Sequence, residues 1–342
     1  MSEKNMQRIV LAQRPEGAVR AECFRLEDAD RPSPAQGEVL IEADWLSLDP
    51  YQRGKMDAGP SYTAAVEIGA PMAGATVGRV LESRADGFAP GDLVLSESGW
   101  ATHAALPAKE LRKLDMMNGL PPQWALGVLG MPGFTGWYGL TEIGQPKEGE
   151  TVVVGAATGP VGAMVGQIAK ARGLRAVGIA GGPEKCAYAV ETLGFDACLD
   201  HRGADAKTLR AGLHEACPAG IDIYFENVGG TVLEAVLPCM NTFGRIPLCG
   251  MVAWYDLDAA PTGADRLPLA WRMALVQRLT VQGFIISDHW DKLGAFLGEV
   301  APLAAQGKVT IPEDVTEGLA NAPDAFIRML KGGNFGKTLV KL

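Results

Sequence analysis

Residues 157–162 read Ala-Thr-Gly-Pro-Val-Gly and follow the apolar run Thr151-Val-Val-Val. An apolar strand that breaks into small residues and then opens a helix can hold the pyrophosphate of a dinucleotide. Ala157–Thr158–Gly159–Pro160–Val161–Gly162 is an A-x-G-x-x-G form of that turn. Gly159 lets the backbone approach the phosphates, and Gly162 lets helix and strand pack closely. The phosphates would rest on the N-terminal amides of a helix beginning near Pro160. Proline suits that first turn, where its missing N–H is not needed. A glycine-rich turn on its own equally serves as a tight turn. Here a strand precedes it, a helix follows, and further strand–helix units lie behind.

The next apolar strand, Arg175-Ala-Val-Gly-Ile-Ala, ends in Gly181–Gly182. Sites that prefer NAD carry an acid there, bonded to the adenosine ribose 2′-hydroxyl. Two glycines leave room for a phosphate instead, and Lys185 follows three residues on with a point charge for it. Taken alone, Lys185 reads as a solvated helix lysine; with the acid missing as well, the pair points to NADPH.

Such a turn needs a sheet to present it. From residue 6 to about 110 the chain carries short β-type runs divided by Gly and Pro, among them QRIVLA, GEVLIEADWLSL, GATVGRVLES and GDLVLSES. That spacing predicts a barrel-like, mainly β unit. PPQWALGVLGMPGFTGWYGLTEIG reads as a bridge. Beyond residue 150, apolar strands (TVVVGAA, RAVGIAG, ACLDH, IDIYFENV, GRIPLCG, LTVQGFII) alternate with helical stretches that include TVLEAVLPCMNTFG. This alternation predicts a parallel sheet covered on both faces by helices. The tail, from KVTIPEDV to NFGKTLVKL, returns to short strands around one helix, so it is expected to fold back onto the first unit.

The bulk numbers narrow the partners. The 342 residues are 47% hydrophobic, enough for roughly two domains. A net charge of −9 argues against nucleic acid or an anionic membrane surface, so an anionic ligand must be held by local donors. The start lacks the apolar core of a signal peptide, and no apolar stretch approaches the roughly 18 residues of a membrane span. A cytoplasmic protein is expected. The cysteines at 23, 186, 198, 217, 239 and 249 form no C-x-x-C pair and read as reduced thiols. The histidines at 103, 201, 214 and 289 lack ligand spacing, so no zinc site is expected.

Beyond that turn, LSLDPYQRG (46–54), SGWATHA (98–104), LGMPGFTGWYGL (129–140), EKCAYAVETLGFD (184–196), GIDIYFENVGG (220–230), FGRIPLCGMVAWY (243–255), VQGFIISD (281–288) and GGNFGKTLV (332–340) occur in order. With them the chain resembles, over almost its whole length, the zinc-free medium-chain dehydrogenase/reductases. The resemblance is to their double-bond reductases, which include leukotriene B4 dehydrogenase/prostaglandin reductase, plant alkenal reductase and bacterial curcumin reductase. It implies an α/β protein: a GroES-like, mainly β catalytic domain built from 1–128 and 301–342, and a Rossmann NADPH-binding domain over 129–300. A homodimer is implied as well.

Residue by residue, the resemblance places Gly181, Lys185 and His201 at the adenosine 2′-phosphate, where relatives usually carry a tyrosine in place of His201. It places Asn227 by the cofactor, Cys249, Gly250 and Met251 as its wall, and Phe284, Ile285 and Ile286 along the nicotinamide. Asn334 would hold the cofactor from the tail, and Tyr51 and Tyr255 would face the substrate as the catalytic pair. Each has a plainer reading: Asn227 as a turn cap, Phe284–Ile286 as strand core, Tyr51 as a turn residue after Asp49–Pro50, Tyr255 as packing beside Trp254. The implied reaction is NADPH-dependent reduction of the C=C bond of an enone or enal, with hydride passing to the β-carbon. Quinone reduction and a non-catalytic NADPH-binding protein are the alternatives.

Overall fold

In the computed structural model, residues 6–59, 61–114, 119–257 and 265–342 are described. The chain divides into two compact units, Met1–Leu126 with Asp256–Asp258 and Glu313–Leu342, and Gly127–Tyr255 with Ala259–Pro312.

The first unit begins with strands β1 (Met6–Leu11) and β2 (Phe24–Ala29), an antiparallel pair. β3 (Glu38–Ser47) leads through the short helix α1 (Tyr51–Gly54) to β4 (Thr76–Ser83) and β5 (Leu93–Ser96), then β6 (His103–Pro107) and β7 (Arg112–Lys113). β3 lies within GEVLIEADWLSL, one of the β-type runs that the sequence predicts, and it pairs antiparallel with both β4 and β6.

The second unit opens on α2 (Met131–Tyr138), which runs on as a π-helical turn over Gly139–Gly144. Six strand–helix units follow: β8 (Thr151–Gly155) with α3 (Pro160–Ala171), β9 (Arg175–Ala180) with α4 (Pro183–Glu191), β10 (Ala197–Asp200) with α5 (Ala206–Ala216), β11 (Ile221–Phe225) with α6 (Gly230–Val236), β12 (Met240–Leu248) with α7 (Leu267–Gln277), and β13 (Thr280–Gly283) with α8 (Leu293–Ala305). All pairings are parallel, in the order β10-β9-β8-β11-β12-β13. The order reverses between β8 and β11, and at such a switch point parallel sheets leave a crevice for ligands. Among the described residues, no helix is long and apolar enough to cross a membrane.

Two elements end earlier than the sequence predicts. The stretch read as helix through TVLEAVLPCMNTFG stops early: α6 ends at Val236, one 3-10 turn spans Leu237–Cys239, and β12 has begun by Met240. Pro238 disfavours continued helix at Leu237 and lacks the N–H a helix would use. The last strand is shorter than LTVQGFII, since β13 ends at Gly283 and a 3-10 turn starts at Ile286. The unit boundaries fall at 126/127 and 312/313, where the sequence expectation drew 128/129 and 300/301. The stretch after α8 stays with the second unit because the Gln167 amide on α3 clasps Thr310, donating to its carbonyl (2.7 Å) and accepting its N–H (2.9 Å).

The tail supplies β14 (Glu313–Glu317), α9 (Ala322–Leu330) and β15 (Lys337–Lys341). β15 pairs antiparallel with β3, Leu339 opposite Ser47, so the chain end completes the sheet begun at the start. On α9, Phe326 reaches the first unit's core, its ring 5.5 Å from Trp100, which stacks on Phe24 at 5.4 Å. Lys337, 1% exposed, donates to the Leu48 carbonyl and to Asp49 Oδ1, both at 2.7 Å. Asp49 also accepts from the Ser47 hydroxyl, and Gln52 donates to the Ser47 carbonyl at 2.9 Å. Burial presses the lysine pKa down and the Asp49 charge presses it back up. This pair fixes the turn that presents Tyr51. Removing one member strands a buried charge, so Lys337→Ala is expected to cost about 3–5 kcal/mol in denaturant unfolding. A loss below about 1 kcal/mol would show that the pair is dispensable.

Candidate functional site

The turn between β8 and α3 is built by exclusion. A β-carbon at Gly162 would stand 2.3 Å from the Ala156 carbonyl oxygen, so only hydrogen fits where helix meets strand. Ala156 takes a left-handed φ of 52°, which turns the chain sharply out of β8. Gly159 caps α3 in extended geometry, and Pro160 starts the helix. Apart from Ala156, nothing described lies within 4 Å of where a Gly159 β-carbon would be. The outward side of the turn is thus open, and the first-turn amides of Val161 and Gly162 lie at the positive end of α3. A pyrophosphate fits this cradle.

Across the switch point, the Asn227 amide donates to the Gly155 carbonyl at 3.1 Å and ties the ends of β8 and β11 together. Its neighbour Glu226, 1% exposed, organises the rest. Its Oε1 accepts the N–H groups of Val228 (2.6 Å) and Gly229 (2.8 Å), and its main-chain carbonyl accepts those of Cys249 (3.0 Å) and Gly250 (3.1 Å). Burial raises its carboxyl pKa and those amide bonds draw it back. The sequence reading missed Glu226, which looks like an ordinary strand-end acid until its two sets of partners are seen. Val252 and Ala253 then donate to the carbonyls of Asn227 and Val228, so 249–253 is zipped along 226–228. Met251 packs by Gly229. Burial and then the Glu226 charge push the Cys249 thiol up to about 12, so it is neutral at pH 7.

Tyr255 follows a 3-10 turn at Val252–Trp254. Its hydroxyl stands 2.9 Å from where a Gly250 β-carbon would be, over the backbone beyond the end of β12. Asn227, Cys249, Gly250, Met251 and Tyr255 are thus brought together. Phe284 turns inward, 9% exposed, its ring 5.6 Å from Tyr138 and 6.4 Å from Phe225. Ile285 and Ile286 are half-buried beyond β13. Tyr51 and Asn334 belong to the first unit. Burial first, then the charges of Glu97 and Asp49, hold the Tyr51 hydroxyl protonated. The Asn334 amide donates to the Gly336 carbonyl at 2.8 Å.

At the end of β9 the structure adds a residue that the sequence reading passed over. β10 lies beside β9 with Asp200 opposite Ala180, which sets the two residues after β10 against Gly181 and Gly182. A β-carbon at Gly181 would stand 3.3 Å from both His201 Nε2 and Arg202 Nε. Gly182, at φ 103°, takes a conformation that side chains rarely adopt, with Arg202 Nη1 3.3 Å from its would-be β-carbon. Asp200 Oδ1 fixes both loops, accepting the N–H of Gly182 (2.7 Å) and of Arg202 (2.8 Å). That carboxylate is therefore spent on the backbone. His201 is held below the usual histidine range by burial; Asp200 opposes this, and the charges of Arg202 and Lys185 add to it. Arg202 and the neutral imidazole of His201 thus lie against Gly181, Arg202 also lies against Gly182, and the Lys185 charge acts on the same imidazole, so two cations and a ring N–H offer a place for a phosphate.

A parallel sheet in this strand order, with a glycine-opened turn at its switch point, and a mainly β unit closed by the chain's own tail define a two-unit α/β protein of the dinucleotide-binding class. Residues 7–114 match the family described as the N-terminal domain of oxidoreductase, and residues 160–300 match that described as zinc-binding dehydrogenase. The NADPH-dependent curcumin reductase of Escherichia coli is 51% identical over 98% of this chain and 96% of its own. Prostaglandin reductase 1 of Mus musculus is 41% identical over 93% of each chain. The crystal structure of CurA from Vibrio vulnificus in complex with NADPH superposes with a TM-score of 0.93 at 48% identity, covering 98% of both chains. The chain belongs to the medium-chain dehydrogenase/reductase superfamily, in its curcumin reductase and prostaglandin reductase branch. Among the described residues, no group of three or more His, Cys, Asp or Glu side chains could hold a metal ion.

The cationic cluster makes a direct prediction. Adenosine 2′,5′-bisphosphate should bind more tightly than 5′-AMP, and Arg202→Ala should weaken the bisphosphate by about 1.5–3 kcal/mol, the scale of a hydrogen bond to a charged group. Calorimetric titration of both nucleotides measures it. Equal losses for the two would remove Arg202 from phosphate recognition.

Proposed function

We propose that this protein reduces the C=C bond of α,β-unsaturated ketones and aldehydes with NADPH. The observation that carries the reading is 51% identity, along nearly the whole chain, to a relative described as an NADPH-dependent curcumin reductase. The two cations Lys185 and Arg202, with His201 beside Gly181, support the cofactor choice independently. When bound, NADPH supplies a hydride to the carbon β to the carbonyl.

The protein's share of the work is placement and charge. The α3 amides and the Gly159 turn take the pyrophosphate, Lys185, His201 and Arg202 take the 2′-phosphate, and Asn227, Cys249, Gly250 and Met251 wall the cofactor. Phe284, Ile285 and Ile286 back the nicotinamide side, and Asn334 is a further cofactor contact. As hydride arrives, negative charge grows on the carbonyl oxygen, and a neutral phenol can donate to it. Tyr255, held over Gly250, takes that role. Tyr51, kept protonated by its surroundings, takes the substrate side of the first unit. The first unit acts as catalytic domain and the second as cofactor domain. The six free cysteines fit a reducing compartment such as the cytoplasm.

We also propose a homodimer. β13 is an edge strand whose four residues are all exposed. On it and on α7 lie Val281 (53% exposed), Trp271 (67%) and Leu275 (77%). A bare edge strand flanked by apolar side chains invites pairing with its own copy. Light scattering should give twice the chain mass; the monomer mass at micromolar concentration would contradict this.

Turnover tests the main reading. The protein should oxidise NADPH in the presence of an enone and return the saturated ketone, and Tyr255→Phe should lower kcat and kcat/KM together by roughly ten- to a few hundred-fold. NADPH affinity should hardly change, since the ring remains. A raised KM at constant kcat would make Tyr255 a wall of the pocket. Turnover of quinones but not enones would replace the reading with quinone reduction.

A further inference from the structure

Two cysteines twelve positions apart in sequence meet beside the cationic cluster. Cys186 lies in the first turns of α4, where its N–H reaches the Gly182 carbonyl (3.2 Å), and Cys198 lies on β10 opposite Gly178. Their sulfurs are 3.2 Å apart, Cys198 donating to Cys186. Neither is fully buried. A disulfide needs a separation of about 2.05 Å, within reach of small side-chain and backbone adjustments. We propose that Cys186 and Cys198 form a reversible disulfide that lowers affinity for NADPH; the second half of this rests on the cofactor reading above.

The chemistry balances with hydrogen peroxide as oxidant. The Cys186 thiolate attacks the O–O bond; an S–O bond forms, the O–O bond breaks and the departing oxygen leaves as water, giving a sulfenic acid. Cys198 then attacks that sulfur and gives up its proton. The S–S bond forms, the S–O bond breaks, and a second water leaves. Two thiols are oxidised and one peroxide is reduced. Cys186 is the attacking member because it stands near the positive end of α4 next to Lys185 and accepts the Cys198 hydrogen bond. Burial raises both thiol pKa values, the Cys198 bond draws that of Cys186 back, and Asp200 adds to the rise in both. The attack is accordingly slow, and a stoichiometric excess of peroxide is the appropriate probe.

The consequence for the cofactor follows from position. Lys185 immediately precedes Cys186, and His201 and Arg202 follow Cys198 by three and four residues. Drawing the two sulfurs together pulls the first turns of α4 onto β10 and disturbs the spacing of Lys185, His201 and Arg202 about Gly181. NADH, lacking the 2′-phosphate, is affected less.

The test uses the full-length protein, treated with hydrogen peroxide, quenched by alkylation under denaturing conditions and analysed by mass spectrometry. The expected result is loss of two of six alkylatable thiols, a Cys186–Cys198 cross-linked peptide, and recovery of all six on reduction. NADPH affinity, read by fluorescence titration, should fall at least fivefold in the oxidised protein, with a smaller fall for NADH. Cys198→Ser should keep wild-type NADPH affinity before treatment and show no fall after it. Six thiols after oxidation, a cross-link between other cysteines, or unchanged NADPH affinity in the disulfide form would overturn the proposal. Failure of the reduced protein to bind NADPH would overturn the cofactor reading and the gating with it, while the thiol count would still report on the pair.

Discussion

Only a hydrogen atom fits at Gly162, because α3 begins against the carbonyl of Ala156. That close approach sets how the first helix leaves the central strand, and so where its amides point. Everything on the carboxyl edge of the sheet is arranged around it: Asn227 laces β11 to β8 through Gly155, and the register of β10 on β9 delivers His201 and Arg202 to Gly181. The site is an edge held by backbone contacts, with a few polar side chains fixed in place by them.

Two carboxylates illustrate the economy of this edge. Asp200 ends β10 and Glu226 follows β11, and each turns one carboxylate oxygen onto main-chain N–H groups. Asp200 Oδ1 and Glu226 Oε1 are taken up by the backbone, while Glu226 Oε2 is buried without a hydrogen-bond partner among the described residues. The first unit uses a buried charge differently. There Lys337 from the tail is locked to Asp49 beside Tyr51, so the last strand carries an electrostatic role as well as a place in the sheet.

The periodic parts of this architecture were legible in the sequence. Strand–helix alternation indicates the parallel sheet, the A-x-G-x-x-G turn locates the switch point, and Gly181–Gly182 with Lys185 points to the extra phosphate. What escaped depends on pairing across the sheet. Arg202 is one residue beyond a short strand, and only the β9–β10 register shows that it faces Gly181. Cys186 and Cys198 share no spacing motif and meet because α4 packs on β10. Glu226 gains its meaning from amides supplied by two loops. Phe284 reads as strand, yet β13 stops before it and its ring turns into the core against Phe225 and Tyr138. Local propensity does not encode these events, since each depends on a neighbour distant in the chain.

The central claim is that this edge directs hydride to carbon rather than to a carbonyl. The most direct measurement supplies NADPH deuterated at the transferring C4 position with an open-chain enone and locates the label in the product by NMR. The account predicts a saturated ketone with one deuterium on the β-carbon and the carbonyl intact. An allylic alcohol with deuterium on the former carbonyl carbon would contradict it.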